Sequence, residues 1–243
     1  MRVVSLAPSA TNIVAALGAE RELVASTDHC NAEAQSVGGW LNPDLDRVAA
    51  YDPDVVLLTD ALQEHLDVPR DEDYDLVHVD PRTLSDVYDS IMEIADVLDR
   101  TARGADVVAE MRAGFTAVRE SVPDSPDDRP VVYCEEWSDP PMAAGNWVPE
   151  IVSLAGGQYP FAAPGERSTP ITQEEFERGS PDYVVLHVCG AGEDVSTDEI
   201  LTRGWNAPAV RNDAISVIDD SLLNQPAPQL VTAAQELARM FHD

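Results

Sequence analysis

The chain of 243 residues contains no lysine, so its 15 basic side chains are all arginines, against 45 acidic side chains. The formal charge of −30 excludes a nucleic-acid binder that works by phosphate neutralisation, because such binding needs a basic face. The lack of lysine also removes the phosphate-binding motif of nucleotide hydrolases. An acid excess of this size is typical of a protein kept soluble in concentrated salt, where most carboxylates are hydrated surface groups.

Long apolar runs are lacking as well, since no stretch approaches the ~20 residues that a membrane-spanning helix needs, and no membrane insertion is expected. The three cysteines, Cys30, Cys134 and Cys189, form no close pair, which excludes a disulfide framework and a Cys-x-x-Cys motif. Met1 and Arg2 lead directly into a strand-like segment without a signal-peptide apolar region. This start predicts a cytoplasmic protein, or an extracellular, lipid-anchored one if a leader has been removed.

Short β-branched runs alternate with helical stretches, which is the order expected of parallel βαβ units. The predicted strands of a first lobe are Val3 to Leu6, Leu23 to Ser26, Val55 to Thr59 and Leu76 to Val79. From Leu84 to about Arg119 the apolar residues recur every three or four positions and predict one long amphipathic helix, with Gly104 as the point where it would bend or break. A second lobe is predicted from strands at Val131 to Glu135, Tyr183 to Val188 and Ile215 to Ile218 and a helix from Pro228 to Phe241.

The predicted fold class is therefore α/β, with lobes at residues 1–82 and 123–243 and a bridging helix at residues 83–122. Two lobes joined by one helix are expected to leave a cleft between them. Ligands of open parallel sheets lie beyond the carboxyl ends of the strands. The loops expected to face the cleft are those after Leu6, Ser26, Thr59, Glu135 and Val188.

Three of the four tryptophans of this aromatic-poor chain fall in segments rich in glycine and proline: Trp40, Trp137 and Trp147. They are interpreted either as a flat apolar wall for a large ligand, with indole N–H groups as donors, or as plugs at the edges of the lobes. Trp205 follows a predicted helix, and packing between that helix and the next loop is expected for it.

Several polar residues are candidates for chemistry. Ser9 is the predicted N-cap of the helix after the first strand, whose backbone N–H groups would face the cleft. His29-Cys30 follows a strand of the first lobe and His187-Val188-Cys189 ends a strand of the second, but no recognised metal-ligand spacing is present. No metal site made by the protein alone is therefore expected, and His29 is a candidate polar or axial contact to a bound metallocofactor.

The carboxylates Glu135, Glu136 and Asp139 are the candidates for acid/base catalysis. Adjacent residues of a strand point to opposite faces, so Glu135 and Glu136 are not expected to reach one substrate together. In so acidic a chain these residues are interpreted as ordinary surface groups.

Longer motifs resemble a known family. The stretches of this chain that carry the resemblance are Arg2 to Ile13 with Ala16-Leu17-Gly18, Leu45 to Leu58, Glu136 to Pro141, Gly145 to Glu150, and Leu154 to Gly157. Together with the long central helix, these stretches resemble the cobalamin and iron-siderophore substrate-binding proteins of ABC importers, the metal-chelate receptors with a helical backbone. The resemblance covers nearly the whole chain, and the Glu-Trp-x-Asp-Pro and Trp-Val-Pro-Glu stretches are closest to the cobalamin branch.

The resemblance implies a class III substrate-binding fold of two Rossmann-like lobes bridged by a rigid helix, with a corrinoid, cobalamin or cobinamide, held between the lobes. It implies non-enzymatic binding, no catalytic cofactor, and as partners ABC importer membrane subunits or corrinoid-salvage enzymes. One departure is the loop from Asp28 to Glu33, which lacks the family's usual Cys-Asp-Tyr-Pro and its ligand-contacting tyrosine. The candidate ligand-binding residues are Pro8, Ser9, His29, Trp40, Asp60, Trp137, Asn146, Trp147, His187 and Asn224.

Two alternatives remain open at the level of sequence. One is a receptor for another metal chelate, haem or a ferric siderophore, although an acidic chain without lysine would have to build an anion pocket from arginines alone. The other is a corrinoid-modifying or amide-hydrolysing enzyme that uses Glu136 or Asp139 with His29.

Overall fold

A computed structural model describes residues 1–68, 74–123, 125 and 129–242. The chain divides into two compact units, the first made of Met1–Pro81 with Ser85–Glu110 and the second of Arg82–Leu84 with Met111–Asp243. Within the described residues, no helix is both long and apolar enough to cross a membrane.

The first unit is built on a five-stranded sheet in the order β3-β2-β1-β6-β7, in which every neighbouring pair is parallel. A separate antiparallel pair, β4 with β5, forms a short hairpin with Trp40 and Leu41 in its turn. The strands are β1 Val3–Ser5, β2 Leu23–Ser26, β3 Gln35–Ser36, β4 Gly38–Gly39, β5 Asn42–Pro43, β6 Val55–Thr59 and β7 Asp75–Val79. The sequence predicted the four longer strands, while the two-residue strands escaped because they are too short to show an alternating pattern.

Strand β6 lies inside the sheet between β1 and β7, and all five of its residues are buried. A parallel strand with both faces covered is expected to be apolar throughout, as Val55 to Leu58 are. One layer of the core gathers around Val4, Leu6, Val56 and Leu58. The helices are α1 Pro8–Ala16, α2 Leu45–Ala50, α3 Leu84–Val97 and α4 Thr101–Ser121.

The predicted long helix is in fact two helices, and the break is not at Gly104. The chain leaves α3 at Asp99, whose φ of 55° is left-handed, and the Arg100 amide donates back to the Ala95 carbonyl at 2.7 Å. Gly104 lies inside α4, where an added Cβ would come within 2.5 Å of the Ala95 Cβ. The glycine therefore lets the two helices approach closely, and the boundary between the two units falls further along α4, after Glu110.

The second unit has a sheet in the order β10-β9-β8-β11-β12, with β8, β11 and β12 parallel and β9 and β10 antiparallel. Its strands are β8 Val132–Ser138, β9 Pro141–Ala143, β10 Thr169–Pro170, β11 Tyr183–Leu186 and β12 Ile215–Val217. Its further helices are α5 Val148–Leu154, α6 Gln173–Gly179, α7 Asp198–Thr202, α8 Pro208–Arg211, α9 Asp220–Leu223 and α10 Leu230–His242.

Aromatic rings fill the core on one face of this sheet. Tyr133 meets Phe161 and Phe176 edge to face, at ring-centroid distances of 5.2 and 5.1 Å. Trp205 packs on Phe176 at 5.0 Å, which is the packing expected for it. Strand β8 runs three residues beyond the predicted end at Glu135, because it pairs with β9 in a hairpin whose turn contains the cis Asp139–Pro140 bond.

Candidate functional site

In the first unit, four candidate residues follow the carboxyl ends of parallel strands. Pro8 and Ser9 come after β1, His29 lies in the turn after β2, and Asp60 directly follows β6. Parallel strands end at the same edge of a sheet, so the chain brings these residues to one edge of this unit.

Ser9 does not cap α1, which corrects the prediction made from the sequence. The N-cap is Ala7, Pro8 opens the helix, and no side chain caps it. The Ser9 hydroxyl instead lies 2.7 Å from the Thr59 hydroxyl, and both side chains are buried. The bond joins the segments that follow β1 and β6, so Ser9 serves the shape of this edge rather than the helix end.

Gln63 ties this edge together, and the sequence analysis missed it. Its side-chain amide donates to the carbonyls of Leu6 at 2.8 Å and Trp40 at 3.0 Å, and its Oε1 accepts from the Thr59 amide at 3.0 Å. Gln63 is only 1% exposed, so all three bonds are made away from water. The turn that holds Trp40 is thereby fixed to the ends of β1 and β6.

Trp40 itself is half-buried, and its indole Nε1 is buried without a hydrogen-bond partner among the described residues. A buried N–H left unsatisfied costs about 1–3 kcal/mol. Gln63 fixes the backbone from which this indole extends.

His29 and Asp60 differ in how firmly they are held. His29 is exposed in a turn. Asp60 has a left-handed φ of 74°, its carboxylate accepts from the Leu62 amide at 2.9 Å, and its carbonyl lies 2.9 Å from the His78 ring. The Asp60 carboxylate therefore starts the turn after β6.

In the second unit, His187 and Asn224 form a bonded pair just beyond the end of β11. Asn224 Nδ2 donates to the His187 carbonyl at 2.8 Å and to the Cys189 thiol sulfur at 3.1 Å, which leaves Asn224 Oδ1 facing His187 Nδ1 as an acceptor. The ring must then carry its proton on Nδ1, so its Nε2 is a bare acceptor.

That acceptor has no partner in the described part of the chain, and His187 is fully buried. Burial lowers the pKa of His187 to about 4, with the Asn224 hydrogen bond opposing the effect only in part. The ring is therefore neutral at pH 7, with a lone pair on a buried nitrogen.

Asn146 supplies a second buried acceptor, since its Oδ1 also lacks a partner among the described residues. Its φ of 52° is left-handed, and its carbonyl accepts from the Gly165 amide at 3.0 Å. The preceding Gly145 is needed because a Cβ there would collide with the backbone of Glu166 and Arg167. Close backbone contact thus holds Asn146 in its unusual conformation.

The two candidate tryptophans of this unit are placed differently from the prediction. Trp137 lies on strand β8 rather than in a loop, is 46% exposed, and donates its indole N–H to the Asp139 carbonyl at 2.8 Å. Trp147 is 6% exposed and donates to the Leu223 carbonyl at 2.8 Å, so it follows the interpretation as a plug. Leu223 directly precedes Asn224, so the end of α9 joins Trp147 to the His187 pair.

Glu135, one of the candidate catalytic carboxylates, is fully buried and committed to an ion pair. Arg203 contacts both carboxylate oxygens, at 2.6 and 2.8 Å, while Tyr133 and Ser138 each donate at 2.9 Å. Burial, and then the neighbouring carboxylate, raise the pKa of Tyr133, so that it stays a donor. With its oxygens occupied by these four bonds, Glu135 braces the β8–β9 hairpin.

The buried side-chain atoms without a partner in the described ranges are Trp40 Nε1, Asn146 Oδ1, His187 Nε2 and Arg129 Nε. Three of these four belong to residues that the sequence had marked as ligand-binding. Native structures rarely leave such groups unsatisfied, and a bound ligand is one of the accepted reasons. Across residues 1–68, 74–123, 125 and 129–242 no group of three or more His, Cys, Asp or Glu could hold a metal ion.

Two α/β units, each built on a sheet with a parallel core and with candidate residues beyond the carboxyl ends of its strands, are the arrangement expected of a substrate-binding protein. Comparison with known proteins gives the family. A model of the periplasmic binding protein family matches residues 3–222, and the chain belongs to this family.

Its relatives include binding proteins for two kinds of metal chelate. A vitamin B12-binding protein of Vibrio parahaemolyticus is 23% identical, over 99% of this chain and 89% of its own. A cobalamin-binding protein of Halobacterium salinarum is 24% identical, over 100% of this chain and 69% of its own. The crystal structure of a periplasmic haem-binding protein of Vibrio cholerae superimposes with a TM-score of 0.85 at 19% identity, over 100% of this chain and 99% of that one. The predicted fold class and family are thus confirmed.

Proposed function

We propose that the chain binds a corrinoid, cobalamin or cobinamide, without transforming it. Membership of a family of substrate-binding proteins supports binding rather than catalysis, and two relatives are named for vitamin B12 and cobalamin. The ion pair with Arg203 removes Glu135 from the candidate catalytic carboxylates, so an enzyme would have to use Glu136 or Asp139.

The observation that carries the choice of ligand is the character of the unsatisfied atoms. Asn146 Oδ1 and His187 Nε2 are neutral acceptors, and an N–H donor of a ligand would satisfy each of them. The rim of a corrin ring carries primary amides, which offer N–H donors as well as carbonyl acceptors for the Trp40 indole. The ionised carboxylates of haem are acceptors only, so they pair with the Trp40 indole and not with Asn146 Oδ1, while the haem iron is a partner for an imidazole lone pair such as that of His187 Nε2.

Haem is the second candidate, favoured by one feature of this chain. His29 and Cys189 are both exposed, and imidazole and thiolate are side chains that ligate haem iron. A haem receptor would use one of them as an axial ligand.

The experiment is a titration by equilibrium dialysis in concentrated potassium chloride with cyanocobalamin, dicyanocobinamide and haemin in parallel. We expect a corrinoid to saturate at one molecule per chain. Trp40→Phe keeps the ring and removes the donor, so it should weaken binding by about tenfold, the worth of one buried hydrogen bond. Trp205→Phe, a change in the core of the second unit, is the matched control and should leave affinity unchanged. Saturation by haemin with no uptake of either corrinoid would refute the proposal.

For the partner, we propose that the loaded protein delivers its ligand to ABC importer membrane subunits, with a corrinoid-salvage enzyme as the alternative recipient. The expected result is transfer of the corrinoid chromophore from the protein to reconstituted importer. Transfer to a soluble salvage enzyme with none to the importer would favour the alternative.

A further inference from the structure

A cavity of about 520 Å³ lies in the second unit, at the edge of the sheet opposite the candidate ligand residues. Arg129 lines it and precedes the first residue of β8, whereas Trp137 and His187 lie at or beyond the carboxyl ends of β8 and β11. The volume is within the range of small-molecule sites. No candidate residue from the sequence lines this cavity.

Arg129 is unusual among the arginines of this acidic chain. It is half-buried, and its Nε is the fourth buried atom without a hydrogen-bond partner among the described residues. Arg203, which is also half-buried, has both carboxylate oxygens of Glu135 as partners. An oxyanion is a natural partner for a guanidinium whose Nε is buried and unpaired, because the N–H fork matches two oxygens.

The backbone around Arg129 is fixed by Gln158. Gln158 Nε2 donates to the Arg129 carbonyl at 2.9 Å, the Gln158 amide donates to the Pro130 carbonyl at 2.8 Å, and the Val132 amide donates to the Gln158 carbonyl at 2.9 Å. These bonds anchor the chain on both sides of the arginine. The backbone that carries Arg129 is therefore in place before any ligand arrives, which lowers the entropy lost on binding.

The wall facing Arg129 is equally rigid. Tyr159 is fixed through its hydroxyl, which donates to the Ala144 carbonyl at 2.7 Å. Beside it the cavity is lined by Pro149, Pro160 and Pro164, whose rings restrict the backbone. Ser153, exposed at the end of α5, adds a hydroxyl to this otherwise apolar lining.

From this arrangement we propose that the Arg129 cavity binds the oxyanion of a small molecule with an apolar body, a carboxylate or a phosphate ester. Arg129 supplies the charge, Ser153 a second hydrogen bond, and the proline wall the surface for the apolar part. The site is separate from the corrinoid site and does not depend on it. In a chain of net charge −30, an arginine that lines a cavity favours the binding there of an anion that the rest of the surface repels.

The test is a titration of the ligand-free protein at constant ionic strength, in which chloride is replaced by propionate, by inorganic phosphate or by phenyl phosphate. Two-dimensional NMR of the arginine Nε–Hε groups reads out the site, and Arg129→Gln assigns the Arg129 signal. We expect the chemical shift of that signal to change saturably with probe concentration, and phenyl phosphate, which has an apolar body, to bind more tightly than inorganic phosphate. Arg129→Gln should weaken binding at least tenfold without weakening corrinoid binding. Propionate and phosphate separate the two oxyanion classes.

Exposed Arg47 and Arg239 are matched controls, since neither lines the cavity. Equal movement of all arginine signals would show general salt effects and overturn the proposal. It would also fail if no probe moved the Arg129 signal, or if Arg129→Gln lost stability without any anion response, because the guanidinium would then be serving an internal partner.

Discussion

Acidification should destabilise the protein through His187. Its pKa is about 4 in the folded chain against 6.5 for a solvated imidazole, because burial disfavours the charged ring. Between these pH values the imidazole of His187 is protonated in the unfolded chain and neutral in the folded chain. The free energy of unfolding therefore falls as the pH drops from about 6.5 towards 4. A difference of one in pKa corresponds to 1.36 kcal/mol, so a difference of about 2.5 contributes about 3 kcal/mol to the free energy of unfolding. Nearly all of this contribution is lost by pH 4.

The measurement is chemical unfolding at pH 7, 6, 5 and 4 in constant potassium chloride, followed by tryptophan fluorescence. The reference is His187→Asn, which does not titrate and retains an amide donor where Nδ1 faces Asn224. The 45 carboxylates titrate in both proteins, so the difference in unfolding free energy isolates the imidazole. We expect the unfolding free energy of the wild type, relative to that of His187→Asn, to fall by about 3 kcal/mol between pH 7 and pH 4. A difference that stays constant over this range would refute the burial argument.

Three further substitutions test the packing and the hydrogen bonds of the two units. Gln63→Leu removes three hydrogen bonds and should lower the unfolding free energy by about 2–4 kcal/mol and shift the fluorescence emission of Trp40. Unchanged emission would contradict the conclusion that Gln63 positions the Trp40 turn. Glu135→Gln leaves Arg203 unpaired and should cost about 3–5 kcal/mol in thermal or urea unfolding, while Glu135→Gln with Arg203→Met should recover part of it. Gly104→Ala should destabilise by about 1–3 kcal/mol through the clash with Ala95, although alanine is the better helix former; a stabilised variant would refute the close approach of α3 and α4.

The sequence predicted the larger features of the fold because those features depend on local pattern. Strands β2 and β6 were predicted to the residue, since a buried parallel strand is a short β-branched run between turns. The predicted break was wrong because glycine has a weak helix propensity, which favours Gly104 as the position of the break. Asp99 made the turn instead, and an aspartate in a left-handed conformation leaves no distinctive mark on the sequence.

The site was predictable only where residue type alone implied a role. Trp40, Asn146 and His187 were singled out from the sequence, and each has an unsatisfied buried atom; whether they contact a ligand stays a prediction. Gln63 and the pairing of Glu135 with Arg203 were missed because their partners lie up to 68 residues away. Long-range polar pairing of that kind has no periodic signal.

The glutamine that joins three segments of the first unit is an amide, and an amide has no net charge. Dissolved ions screen the attraction between exposed opposite charges, but they have much less effect on a hydrogen bond between uncharged groups that are away from solvent. Around Trp40 the geometry should consequently be the same in dilute buffer and in brine, even where the acidic exterior of the molecule responds strongly to that change.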